Sequence, residues 1–119
     1  MNVLAAREKA QPAPPAIVWE TLTDPYRPGA REWLAVADDE VEPTVVEATR
    51  PGLVVWSSLW PDRPKDRIRF TITDDGGEGS RLKWVLESPD DPPDGARFDD
   101  ICHRINYLIN GEMRESFGQ

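Results

Sequence analysis

The chain has 119 residues, a formal net charge of −8 at pH 7, twelve prolines, five tryptophans and one cysteine. This length suits a single domain over residues 1–119, and the negative charge argues against nucleic acid or an anionic membrane as a partner. Cys102 cannot form an intramolecular disulfide, no apolar run reaches the roughly 18 residues of a membrane span, and no secretory signal is evident. We therefore expect a soluble, cytoplasmic protein.

The first strand is predicted over residues 2–10, where a weak strand pattern ends before Pro12. A helix over residues 16–24 follows, because Pro14 and Pro15 lack N–H groups that would be unpaired in a first helical turn anyway. The segment KAQPAPP that joins the two elements also has the spacing of a polyproline ligand. Its flanks favour a strand-to-helix corner instead.

A second short helix is predicted over residues 26–34. Pro25 ends the first helix, and Pro28 lies near the start of the next. Trp33 would lie on the buried side of this second helix. A further strand over residues 33–41 is left open.

Four antiparallel strands are predicted in the middle of the chain, where the period of the apolar residues changes from 3.6 to 2. Their ranges are residues 44–49, 53–60, 67–73 and 81–87. The last two alternate so regularly that facing apolar sides determine their register. The predicted cross-strand pairs are Ile72 with Leu82, Phe70 with Trp84, Ile68 with Leu86 and Arg67 with Glu87.

A long C-terminal helix is predicted to begin at the DPPD stretch, residues 91–94. This stretch supplies an N-cap, a proline in the first turn and an acid near the positive end of the helix dipole. One face stays apolar for about five turns. Its residues are Phe98, Ile101, Cys102, Ile105, Leu108, Ile109, Met113 and Phe117. A helix with such a face can cover a curved antiparallel sheet that is apolar on one side.

A family resemblance follows from this order of elements and from three stretches of sequence. Residues 13–24 (APPAIVWETLTD) combine a proline-rich start, Val-Trp and a Leu-Thr-Asp helix end. Residues 57–75 and the Trp-Val-Leu strand at residues 84–86, with its proline-rich lead into the final helix, continue the pattern. Over essentially the whole chain, the sequence resembles the START-like SRPBCC superfamily, in its polyketide cyclase/dehydrase-like branch.

That resemblance implies the α+β helix-grip fold of the birch-pollen allergen. Such a fold has a curved antiparallel sheet, here of about five to seven strands, two short N-terminal helices and one long C-terminal helix packed across the sheet. The superfamily includes lipid and hormone carriers, polyketide cyclases and aromatases, and chaperone-activating domains. The fold therefore does not choose among these functions.

An apolar or aromatic small molecule, bound between the sheet and the C-terminal helix, is the expected ligand. The predicted lining residues are Trp33, Trp56, Phe70, Trp84, Ile105, Ile109 and Glu112. The competing interpretation is that the tryptophans fill the interior themselves.

Neither His103 nor Cys102 is expected to be catalytic. Asp99 and Asp100 precede His103 on the same helix, as carboxylates that orient a catalytic histidine would. At about 100° per residue, however, His103 lies roughly 150° from the centre of the apolar stripe, so we expect it to face solvent. Cys102 lies on the stripe, where a thiol acts as a small hydrophobe. One histidine beside one cysteine does not make a metal site, so we expect no catalytic residue, no metal and no cofactor.

Two alternative functions stay open. A cyclase- or aromatase-like enzyme would need an inward acid or base, for which the sequence offers only Glu112. A protein-interaction domain without a pocket would use the outer sheet face, where Glu87 alone opposes a group of basic residues. These are Arg67, Arg69, Arg81 and Lys83. The oligomeric state is also open, a dimer included.

Overall fold

The structure, a computed structural model, describes residues 1–29 and 31–118. Its strands are β1 (Asn2–Gln11), β2 (Val45–Thr49), β3 (Leu53–Ser57), β4 (Arg67–Asp74) and β5 (Ser80–Ser88). Its helices are α1 (Pro15–Thr23), between β1 and β2, and α2 (Gly95–Tyr107), which a π-helical segment (Leu108–Met113) continues. The predicted α+β architecture is confirmed.

The five strands form one antiparallel sheet in the order β1-β5-β4-β3-β2. The register predicted for β4 and β5 is confirmed at all four pairs, including Phe70 opposite Trp84. Along β4 the side chains of Ile68, Phe70 and Ile72 are buried, while the residues between them are partly or fully exposed. Period-two alternation thus placed one face of the sheet against the core.

The β1–α1 corner forms as predicted. Pro14 is the N-cap of α1 and Pro15 its first residue, so their missing N–H groups fall where a helix has no intrahelical partner for them. Two tryptophans fasten α1 to the sheet. Trp19 Nε1 donates to the carbonyl of Leu53 at 3.1 Å, and Trp56 Nε1 donates to the carbonyl of Leu22 at 2.9 Å.

The second short helix predicted over residues 26–34 is wrong. Within that range, which includes the undescribed Ala30, residues 26–29 form turns and residues 31–34 have no regular structure. Gly29 has φ of 83°, a left-handed conformation that interrupts an α-helix, and Pro25 and Pro28 have no N–H to donate. No strand forms over residues 33–41 either.

The C-terminal helix begins at the end of the predicted DPPD stretch, with Asp94 as its N-cap and Gly95 as its first residue. The prediction of a proline in the first turn is wrong, because Pro92 and Pro93 precede the N-cap. The Asp94 side chain accepts a hydrogen bond from the backbone N–H of Arg97 at 3.0 Å, as an N-cap does. On a regular α-helix the apolar stripe would gradually rotate away from the core. The π-helical segment has more residues per turn, and Met113 on this segment faces the core. Met113 is fully buried, and Phe117 packs against the core from the end of the chain.

The hydrophobic core brings together side chains from α1, β3, β4, β5 and the C-terminal helix. Trp33, from the irregular segment before β2, joins it and stacks on Trp56 with ring centroids 6.0 Å apart. Trp56 in turn meets the edge of Phe70 at 4.9 Å. None of the helices in the described residues is long and apolar enough to cross a membrane.

Candidate ligand-binding site

The predicted lining residues separate into three groups. Five of them are buried within the core at relative exposures of 3% or less, namely Trp56, Phe70, Trp84, Ile105 and Ile109. Trp33 is equally buried but also borders a cleft. Glu112 is half-buried on the π-helical segment, where its hydrogen bond raises the pKa of the exposed Tyr107.

The cleft beside Trp33 has a volume of about 500 Å³. Three parts of the chain form its walls: the β1–α1 corner with α1, the segment from Arg27 to Trp33, and residues 116–118 after the C-terminal helix. Parts so distant in sequence meet here because the C-terminal helix ends beside the corner where α1 begins.

Part of the cleft lining is apolar. It is built by Pro12 and Pro14 of the corner, Ile17 of α1, Trp33 and Phe117. Ile17 has 36% of its surface exposed, which is high for a large aliphatic residue on a helix that packs against the core. A molecule in the cleft would remove this surface from water.

Another part of the cleft lining carries positive charge. Arg27 Nη1 donates to the Thr21 hydroxyl at 3.1 Å, and Arg31 Nη1 approaches the carbonyl of Glu115 at 3.5 Å. In the part of the chain that the structure describes, neither arginine has a carboxylate within 4.0 Å. The Trp33 Nε1 atom is buried and has no hydrogen-bond partner among the same residues.

Sequence reasoning did not identify the two arginines or the corner prolines as parts of a site. The available indication was the stretch YRPGAREW, in which two basic residues flank a Pro-Gly turn just before a tryptophan. Because this stretch was predicted to be a helix, its side chains were expected to point in different directions around the helix axis. The two arginines and Trp33 were therefore not expected to line the same cleft.

A second cleft, of about 320 Å³, is lined largely by charged residues, among them Glu40, Arg97 and Arg104. Arg97 bonds Asp62 at 2.8 Å, and Arg104 bonds Glu40 at 2.8 Å. Burial opposes the ionisation of Glu40, but hydrogen bonds from Arg104 and from the Ala37 N–H hold its pKa below the ordinary value. These charges are paired with one another, so the cluster serves to hold loops against α2.

The remaining candidates lie outside both clefts. His103 is exposed, as predicted. Cys102 is half-buried against the core, and burial raises the pKa of its thiol, so the unreactive protonated form dominates at neutral pH. Among residues 1–29 and 31–118, no histidine, cysteine, aspartate or glutamate side chains cluster as metal ligands would.

The outer sheet face is more balanced in charge than predicted. The expectation that Glu87 alone opposes the basic residues is wrong, because β1 and β2 each add a glutamate to this face. Arg69 bonds Glu87 at 2.6 Å and lies 3.9 Å from Glu47, and Arg81 bonds Glu8 at 2.5 Å. The ion pairs reduce the positive charge available to a partner.

Solved structures share the architecture of this chain. CalU16 from Micromonospora echinospora has a TM-score of 0.62 and 15% identity, over 90% of this chain and 74% of that one. An HSP90 activator from Plasmodium falciparum has a TM-score of 0.60 and 15% identity, over 92% and 89%. Ara h 8.0201 has a TM-score of 0.55 and 13% identity, over 99% and 100%.

The chain has an α+β helix-grip fold like that of these structures. The resemblance inferred from the sequence is therefore confirmed for the fold, and this helix-grip sheet has five strands. No family model matches the sequence, and no curated protein matches it. At such low identities the likeness establishes the helix-grip fold and leaves function to be argued from the site.

Proposed function

We propose that this helix-grip domain binds an apolar or aromatic small molecule in the cleft beside Trp33. The observation that carries the proposal is the cleft itself, whose volume of about 500 Å³ lies in the range of small-molecule sites. Its apolar lining offers Ile17 and Phe117 to a ligand, with Trp33 at its border. An aromatic ligand suits such a wall, because stacked or edge-on rings add to the gain from apolar burial.

Of the predicted lining residues, we propose that one contacts the ligand and that the others support it from the core. Trp33 contacts the ligand, while Trp56 stacks behind it and Phe70 supports Trp56. This stack keeps the indole of Trp33 in place before the ligand arrives, which lowers the entropy cost of binding. Trp84, Ile105 and Ile109 belong to the core behind the stack.

Binding rather than acid–base catalysis is the function proposed. The described residues that line the cleft include no aspartate, glutamate, histidine or cysteine. Arginine does not give up its proton in proteins, and the Thr21 hydroxyl already donates to the carbonyl of Ile17 at 2.8 Å. The groups at the cleft thus suit holding a molecule more than exchanging protons with it.

Native mass spectrometry of the protein as purified from cells tests whether it carries a small molecule. A matched pair of variants then tests where that molecule binds, using the neutral apolar fluorophore Nile red. Ile17→Gln places a polar group in the cleft, whereas Val46→Gln makes a comparable change on exposed β2, where Val46 has 49% of its surface exposed.

We expect Ile17→Gln to weaken Nile red binding by about tenfold, the equivalent of 1.4 kcal/mol, and Val46→Gln to leave it unchanged. Equal binding by both variants would place the apolar site elsewhere. A protein that is free of small molecules after purification and also ignores a panel of apolar fluorophores would contradict the proposed function.

A further inference from the structure

We infer that the ligand of this cleft is an apolar molecule that bears a carboxylate, and that Arg27 and Arg31 bind the carboxylate. The inference rests on the proposed function, since it names the polar end of the same ligand. It follows from the hydrogen-bonding capacity that the segment from Arg27 to Trp33 leaves unused.

Arg27 is held in place yet keeps most of its donors. The guanidinium is half-buried, and its contact with the Thr21 oxygen uses one of five N–H groups. Thr21 is itself buried, and its hydroxyl donates a hydrogen bond to the carbonyl of Ile17. The Thr21 oxygen therefore acts as the acceptor in its hydrogen bond with Arg27. A side chain oriented in this way loses little freedom when it binds an anion.

Arg31 is exposed, and its contact with the Glu115 carbonyl is long at 3.5 Å. Arg97 and Arg104, by contrast, each have a carboxylate oxygen at 2.8 Å. Within the described residues, the neighbouring acids Asp24 and Glu32 do not form ion pairs with either cleft arginine. Although the chain has a net charge of −8, two arginines that line the same cleft have no carboxylate partner among the described residues.

Trp33 lines the same cleft and has a further unused donor. Its Nε1–H is buried without a partner among the described residues, and a buried donor in that state costs free energy that an added acceptor would recover. Arginine and tryptophan side chains donate hydrogen bonds and accept none. The hydroxyl of Ser116, which also lines the cleft, already donates a hydrogen bond to the carbonyl of Met113.

These unused N–H groups favour a ligand group that only accepts hydrogen bonds. The planar guanidinium matches the two oxygens of a carboxylate, and these charge-assisted bonds are stronger than bonds between neutral groups. The apolar side chains that line the same cleft select an apolar body for the same molecule. The combination points to an aromatic or aliphatic monocarboxylate rather than a neutral hydrophobe.

The test compares 1-naphthaleneacetate with 1-naphthaleneacetamide, which has nearly the same shape but no charge. Affinities are measured by isothermal titration calorimetry for the wild-type protein and for the double variant Arg27→Gln/Arg31→Gln. The control is Arg7→Gln, an exposed arginine on β1 outside the cleft. Circular dichroism verifies that each variant is folded, and Arg27→Lys/Arg31→Lys keeps the charge without the planar fork.

We expect the wild type and Arg7→Gln to bind the acid about tenfold more tightly than the amide. The double glutamine variant should lose this preference while its affinity for the amide stays within about twofold, and the double lysine variant should keep part of it. Added salt should weaken binding of the acid alone.

Equal affinities of the wild type for acid and amide would overturn the inference and leave the proposed function standing. Equal loss of both probes in the folded double variant would also overturn it, because the arginines would then support the cleft rather than select a charge. If neither probe bound the wild-type protein, the proposed function would fail and this inference with it.

Discussion

Arg104 in α2 donates two hydrogen bonds to the carboxylate of Glu40, from Nε to Oε2 at 2.8 Å and from Nη2 to Oε1 at 3.0 Å. The Nη2 atom also donates to the carbonyl of Ala35 at 2.7 Å, and the Ala37 N–H donates to Glu40 at 2.8 Å. The Glu40 side chain is only 3% exposed. This pair fastens the irregular segment before β2, which also carries Trp33, to the C-terminal helix.

Removing the charge of Glu40 should destabilise the protein. Glu40→Gln leaves the Arg104 guanidinium without its partner, and we expect the free energy of unfolding in urea to fall by about 2 kcal/mol, because the pair is only partly shielded from solvent. The control is Asp39→Asn, an exposed acid 3.7 Å from Arg97, for which we expect a loss below about 0.5 kcal/mol. Similar losses in the two variants would contradict a special role for the buried pair.

The same pair should make stability depend on pH in the acid range. The folded-state pKa of Glu40 lies below its ordinary value of 4.5, so the unfolded chain takes up its proton first as pH falls. The stabilisation is complete above the unfolded value and is lost as pH falls through the folded pKa. Urea unfolding from pH 7 to pH 3 should therefore show a shallower decline for Glu40→Gln than for the wild type. Parallel curves would exclude this contribution.

Gly79 should not tolerate a side chain, for a steric reason. A Cβ atom there would lie 2.5 Å from the backbone oxygen of Gln11, whereas a Cβ at Gly77 would lie 3.5 Å from its nearest neighbour, Asp75 Oδ1. We expect Gly79→Ala to cost about 1–3 kcal/mol in thermal unfolding and Gly77→Ala to cost much less. Equal changes in Tm would show that β1 can move away from the β4–β5 loop at little cost.

Two buried tryptophans should differ in what their indole nitrogen contributes. Trp56 Nε1 bonds the Leu22 carbonyl near the end of α1, whereas Trp84 Nε1 has no partner among the described residues. We expect Trp56→Phe to cost about 1 kcal/mol more than Trp84→Phe in chemical denaturation, since both lose similar volume but only the first leaves a carbonyl unpaired. A larger loss from Trp84→Phe would require a partner for its indole N–H.

The regular elements of this fold were predictable because local patterns determine them. Alternation along β4 and β5 set their register, since a slip by one residue would turn Phe70 and Trp84 to solvent. The cap at Asp94 and the prolines at the start of α1 act through backbone groups within a turn of themselves. Such effects are visible in a short window of sequence.

The candidate site was not predictable in the same way. The apolar spacing around Trp33 suggested a helix, but the chain turns at Gly29, and the burial of Trp33 depends on its contact with Trp56 of β3. Arg31 meets Glu115 across 84 positions of sequence. Periodicity identified Trp33 as buried and could not show which surfaces would come to border it.

The most direct test of the account follows the five tryptophan indole N–H signals in ¹H–¹⁵N NMR spectra during a titration with 1-naphthaleneacetate, with assignments from Trp→Phe variants. Trp33 borders the cleft, whereas Trp60 and Trp84 do not. We expect the indole N–H signal of Trp33 to show the largest change in chemical shift and the signals of Trp60 and Trp84 to stay unchanged. A Trp33 signal that stays fixed at saturating ligand, or shifts confined to Trp60 and Trp84, would contradict it.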